Sequence, residues 1–74
     1  MKAIQNNSDL WVVKDYRSIH LNLTHNIAIK CVGAEWRLCF SAGRDGHFFA
    51  YDTEDEAQKG FDYVMTLIER ANKT

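Results

Sequence analysis

The sequence predicts an α+β fold: an antiparallel β-meander of four to five strands with one C-terminal α-helix packed on one face. Three observations carry this expectation. Apolar residues alternate with polar ones through much of residues 10–51, the period of half-buried strands. Glycine- and asparagine-bearing turn signals separate the alternating runs. A capping signature at 53–56 then opens an apolar stripe with helical spacing. The chain has 74 residues, room for one domain. We assign that domain to 10–74 and expect the polar, aperiodic residues 1–9 to form a flexible N-terminal arm.

Each strand can be justified in turn. Residues 10–16 (LWVVKDY) have strand-like composition and are expected to form an edge strand beside 19–23, although 15–18 offer no decisive turn signal. Ile19, Leu21 and Leu23 alternate with His20, Asn22 and Thr24. A three-residue loop, Thr24-His25-Asn26, would set Leu23, Leu21 and Ile19 opposite Ile27, Ile29 and Cys31, all apolar on one face. Gly33-Ala34 as a two-residue turn sets Cys31, Ile29 and Ile27 opposite Trp36, Leu38 and Phe40. Asp45-Gly46 reads as a further two-residue turn, placing Ala42 opposite Phe49 and Phe40 opposite Tyr51.

The helix begins with Thr53 as N-cap and Glu56 three residues later, a capping box. The acidic run Glu54-Asp55-Glu56 opposes the positive end of the helix dipole, so helix chemistry explains it without a metal. Ala57, Phe61, Val64, Met65, Ile68 and Ala71 make one apolar face, and the helix should run from 54 to 72. Gly60 costs about 1 kcal/mol relative to alanine in a helix, which implies a close approach at that point.

Composition excludes several function classes. Formal net charge is −1 and the hydrophobic fraction is 46%, unlike a disordered tail or a chain that coats nucleic acid. No apolar run reaches the roughly 18–20 residues of a membrane helix. Charge is uneven along the chain: residues 1–34 carry +2 and residues 51–74 carry −3. The first residues lack the apolar stretch of a secretory leader, so the expected location is cytoplasmic. The three Asn-X-Ser/Thr sequons are then chance matches.

Catalytic and metal chemistry find little support. Cys31 and Cys39 fall on opposite faces in this register, and their spacing matches no common metal pattern. Cys31 is read as a small core residue. His20, His25 and His47 are scattered. The stretch 41–46 (SAGRDG) lacks the Lys-Ser/Thr ending of a phosphate loop and leads into no helix. We therefore expect no enzyme activity, no metal, no cofactor, no small-molecule substrate and no membrane partner.

With the helix on one face, the other should carry His20, Asn22, Ala28, Lys30, Val32, Glu35, Arg37, Cys39, Ser41, Phe48 and Ala50. That face is more apolar than a purely solvated one requires. Trp11, Lys30, Val32, Arg37, Cys39 and Phe48 are the candidate binding residues. The expected function is a small intracellular protein–protein interaction module, an adaptor or inhibitor of bacterial or phage type. It would be homodimeric or bound to another protein through the open face or an edge strand. The alternative is a single-stranded nucleic-acid binder. Lys14, Arg17, Lys30 and Arg37 would then meet phosphates, while Phe48 and Trp11 stack on bases.

Overall fold

The computed structural model describes residues 1–24 and 26–72. Strands β1 (Lys2–Asn6), β2 (Asp9–Lys14) and β3 (Arg17–His20) form one antiparallel sheet in that order. Strands β4 (Asn26–Val32), β5 (Glu35–Ala42) and β6 (Asp45–Tyr51) form a second. The helix α1 spans Glu54–Asn72, the range its stripe predicts. The class is α+β with antiparallel sheets, but two three-stranded sheets replace the expected single meander of four to five strands.

All four hairpins among the described residues close through two-residue turns, and the first turn residue has a positive φ each time. These are Asn7 (59°), Asp15 (58°), Gly33 (62°) and Gly43 (64°). Glycine reaches this region without steric cost, and Asn and Asp tolerate it best among the other residues. The Asn7-Ser8 turn closes Asn6 on Asp9, so residues 2–6 pair with β2 and are not a loose arm. Asp15-Tyr16 closes Lys14 on Arg17, supplying the connection that composition left undecided.

The β4–β5 register is the one predicted: Cys31 faces Trp36, Ile29 faces Leu38 and Ile27 faces Phe40. The β5–β6 register differs. The turn is Gly43-Arg44, not Asp45-Gly46, and it sets Leu38 opposite Phe49 and Phe40 opposite His47. A turn at 45–46 would carry the chain into Asp52 and α1 while residues 35–39 still lacked a partner. The turn at 43–44 extends the ladder to Trp36–Tyr51. The slip is an even number of residues, so every side chain keeps its face.

The predicted hairpin between 19–23 and 27–31 is absent. The chain leaves β3 at His20 and turns through a short 3-10 segment, Leu21–Leu23. Long-range hydrogen bonds account for the break. The Leu10 N–H donates to Asn22 Oδ1 at 2.8 Å, and Asn22 Nδ2 donates to the Ser8 carbonyl at 2.9 Å. Thr24 N–H donates to the Leu21 carbonyl at 3.0 Å. Part of the expected Thr24-His25-Asn26 loop, His25, lies outside the described residues.

One core joins both sheets to α1. Leu10, Val12, Ile19 and Leu21 meet Leu38, Phe40, Phe49 and Val64 in a single buried cluster. Ile27, Ile29, Tyr51, Phe61, Leu67 and Ile68 pack around it while half-buried. Phe40 and Phe49 meet edge to face with centroids 5.5 Å apart. The helix starts as its cap predicts: Glu56 N–H donates to Thr53 Oγ1 at 3.2 Å. Met65 departs from the predicted stripe and is 40% exposed. Cys31 keeps the predicted inward side but is exposed, because it stands at the hairpin end, beyond the side chains that pack the core.

Gly60 is buried against Tyr51. A Cβ at Gly60 would stand 2.5 Å from Tyr51 Oη and 3.1 Å from Met1 Cε. Gly60→Ala gains about 1 kcal/mol of helix propensity but overpacks the contact, at a cost of roughly 1–3 kcal/mol. The single variant should unfold at lower denaturant concentration. Adding Tyr51→Phe, which removes the offending oxygen, should recover the loss. Equal midpoints for Gly60→Ala with and without Tyr51→Phe would show that the oxygen does not limit the site.

Candidate functional site

The hairpin β2–β3 carries Lys14 and Arg17 at its tip, on the same side as Val12 and Ile19. Both side chains reach β6. Lys14 Nζ donates to the Ala50 carbonyl at 2.9 Å, and Arg17 Nη1 donates to the Phe48 carbonyl at 2.9 Å. These carbonyls lie on the edge of β6 away from β5, so two cationic side chains cover an otherwise open strand edge. Lys14 also contacts Asp15 at 3.0 Å and sits 4.8 Å from the Tyr51 ring centroid.

The same geometry builds a cationic and aromatic cluster. The Arg17 guanidinium lies 4.4 Å from the Phe48 ring centroid, and the Arg37 guanidinium lies 4.2 Å from it. Guanidinium groups are held at ring faces by the aromatic quadrupole. Arg37 is anchored from the other side by Glu35, with Nε to Oε1 at 2.8 Å and Nη2 to Oε1 at 2.6 Å. Strand pairing then adds neighbours on the outer face: Lys30 opposite Arg37, Ala28 opposite Cys39, and Cys39 opposite Phe48. Val32, opposite Glu35, is 44% exposed.

Five of the six candidate residues therefore share one face: Lys30, Val32, Arg37, Cys39 and Phe48. Trp11 does not join them. It pairs with Ile4 and His20 in the first sheet and stacks on His20, with centroids 4.4 Å apart and planes 11° from parallel. His20 Nε2 is 3.3 Å from Asp9 Oδ1, but the two are not aligned as a hydrogen bond. His20 and Asn22, expected on the same open face as Lys30, also belong elsewhere: His20 to the first sheet and Asn22 to the 3-10 segment.

Two participants lie outside the six candidate binding residues. Arg17, expected only in the nucleic-acid reading, completes the Phe48 cluster. Tyr16, at the turn tip, is fully exposed. Both line a depression of about 330 Å³ with Lys14, Asp15, Glu35 and Phe48. The one local signal for a hairpin tip there is Asp15, a residue type that tolerates the left-handed region. The approach of Arg17 to β6 is a tertiary fact without a local signature. Among the described residues, no group of three or more His, Cys, Asp or Glu side chains is arranged to hold a metal ion. No helix there is long and apolar enough to cross a membrane.

Tyr51 lies on the opposite face, beside Lys14 and Gly60. Burial pushes its hydroxyl pKa up from the ordinary 10.0, and the negative charges of Asp15 and then Glu56 add to the rise. The folded state thus holds the tyrosine proton more tightly than the unfolded chain. Stability from this group is intact below pH 10 and is lost as pH rises through the folded value. Thermal melts between pH 9 and pH 11.5 should show a decline that Tyr51→Phe reduces, while Tyr16→Phe, at a fully exposed position, leaves it unchanged.

Comparison of the chain with protein-family models, with curated proteins and with solved structures finds no match.

Proposed function

We propose that the chain is a small protein–protein interaction module, an adaptor or inhibitor that works as a homodimer. It engages its partner through the outer face of β4, β5 and β6. The observation that carries this reading is the cluster in which Arg17 and Arg37 lie over Phe48, next to Lys30 and the exposed Val32. Preset guanidinium groups with aliphatic neighbours suit an acidic protein segment bearing an apolar side chain. Arginine held in one geometry also loses less side-chain entropy on binding.

A single-stranded nucleic acid is the second reading, favoured by Lys30 standing opposite Arg37 with Arg17 close by. The state of the aromatic residues weighs against it. Base stacking needs a free ring face, and guanidinium groups already lie against Phe48 while His20 covers one face of Trp11.

Two measurements separate these readings. A labelled oligothymidylate should show no saturable anisotropy change with the chain, even at low salt. Binding whose log–log salt slope approaches about −2, from roughly −0.7 for each of three phosphate contacts, would replace the protein reading with the second. Immobilised chain should retain a discrete set of proteins from extract of its own cells, and Arg37→Glu and Phe48→Glu should each lose that set. Identical sets from wild type and both variants would remove the outer face from the function.

A further inference from the structure

The two edges of the second sheet are treated differently by the rest of the chain. The β6 edge is covered, since Arg17 and Lys14 donate to the Phe48 and Ala50 carbonyls. These bonds also fix which way every backbone group points. A residue in a strand directs its N–H and C=O to the same side, and its neighbours direct theirs to the other. Phe48 and Ala50 face away from β5, so His47, Phe49 and Tyr51 face it. Their partners Phe40, Leu38 and Trp36 face β6. Residues 35, 37, 39 and 41 of β5 then face β4 and bond Val32, Lys30, Ala28 and Asn26. Ile27, Ile29 and Cys31 are left with their N–H and C=O pointing out of the sheet.

No other described segment pairs with that edge. The strand is seven residues long (NIAIKCV), with Lys30 its only charge and no proline. Apart from Lys30, it lacks the usual devices that block pairing with a further strand. Beside it, on the helix side, a groove of about 350 Å³ is lined by Ile27, Phe61, Met65 and Ile68. Met65 is 40% exposed there. An open edge and an apolar groove are thus contiguous.

We infer that β4 pairs antiparallel with β4 of a second copy of this chain, across a two-fold axis at Ile29. The strand is self-complementary in this register. Ile29 meets the partner's Ile29, and Ile27 and Cys31 meet the partner's Cys31 and the partner's Ile27. The three outward-facing residues all become hydrogen-bonded pairs, giving about six new backbone bonds. On the outer face Lys30 stands opposite the partner's Ala28. A two-fold at Lys30 would oppose two like charges, and one at Ala28 would leave Cys31 unpaired. The result is a continuous six-stranded sheet with both helices on one side and the two grooves adjoining. The two outer faces become a single bivalent surface.

This inference rests on the homodimeric part of the function proposed above. Light scattering and sedimentation equilibrium on the full chain test it. Wild type should show twice its 8.6 kDa mass. Ala28→Lys, which faces Lys30 across the two-fold, should weaken dimerisation at least about tenfold. Ala28→Glu, which creates two ion pairs with the same lysines, should strengthen it. Cys31→Pro removes an outward N–H, and should give a monomer whose circular dichroism matches the wild type. A monomeric wild type at high micromolar concentration overturns both the inference and the homodimeric reading. A dimer indifferent to both Ala28 changes and to Cys31→Pro overturns the inference alone. So does a dimer that only Phe48→Glu dissolves.

Discussion

Val12, Leu38 and Val64 have no solvent exposure, and each comes from a different layer. Their meeting is the constraint on which the structure depends. Neither sheet shares a ladder with the other, and a three-stranded sheet has little stability without something against its apolar face. The helix lies against the second sheet, and the first sheet joins the same core through Leu10, Val12, Ile19 and the adjoining Leu21. With both sheets sharing one core, the tip of β2–β3 lies at the edge of β6.

The Arg17–Phe48–Arg37 cluster is a by-product of this meeting of the sheets. Once Lys14 and Arg17 lie along β6, they neutralise outward-pointing carbonyls that would otherwise invite another strand. In doing so Arg17 arrives over Phe48, where Arg37 already stands. One side chain therefore protects an edge and organises a face. The opposite edge, at β4, has no such guard. The sheet is thus polarised, with one margin closed by its own chain and the other left with its hydrogen-bonding capacity intact.

Much of this was legible in the residues, and the failures have physical causes. The β4–β5 register follows from Gly33, the one residue there that enters the left-handed region freely. Between β5 and β6 two glycines compete, Gly43 and Gly46, and local chemistry favours the wrong one. Ladder length decided the matter, but the even slip preserved which residues face inward, so Leu38, Phe40 and Phe49 were assigned to the core in either register. The first hairpin has a weak local signal because Asn7 marks a turn less strongly than glycine does. The break after His20 was hidden by the continuing alternation of Ile19, Leu21 and Leu23. Its cause, the bonds of Asn22 to Leu10 and Ser8, lies more than ten residues away in sequence. The outer-face set of Lys30, Val32, Arg37, Cys39 and Phe48 emerged from parity alone, whereas excluding Trp11 required knowing that the sheet divides.

The uniformity of the turns has a kinetic consequence. Every ladder joins strands that are neighbours in sequence, each through a connection of two residues. Loop closure over so short a span costs little entropy, and chains dominated by local contacts cross their folding barrier quickly. The distant contacts, Lys14 with Ala50, Arg17 with Phe48 and the packing of α1 on the second sheet, then have preformed ribbons to join. What is left after the ribbons form is their assembly with α1 into one core.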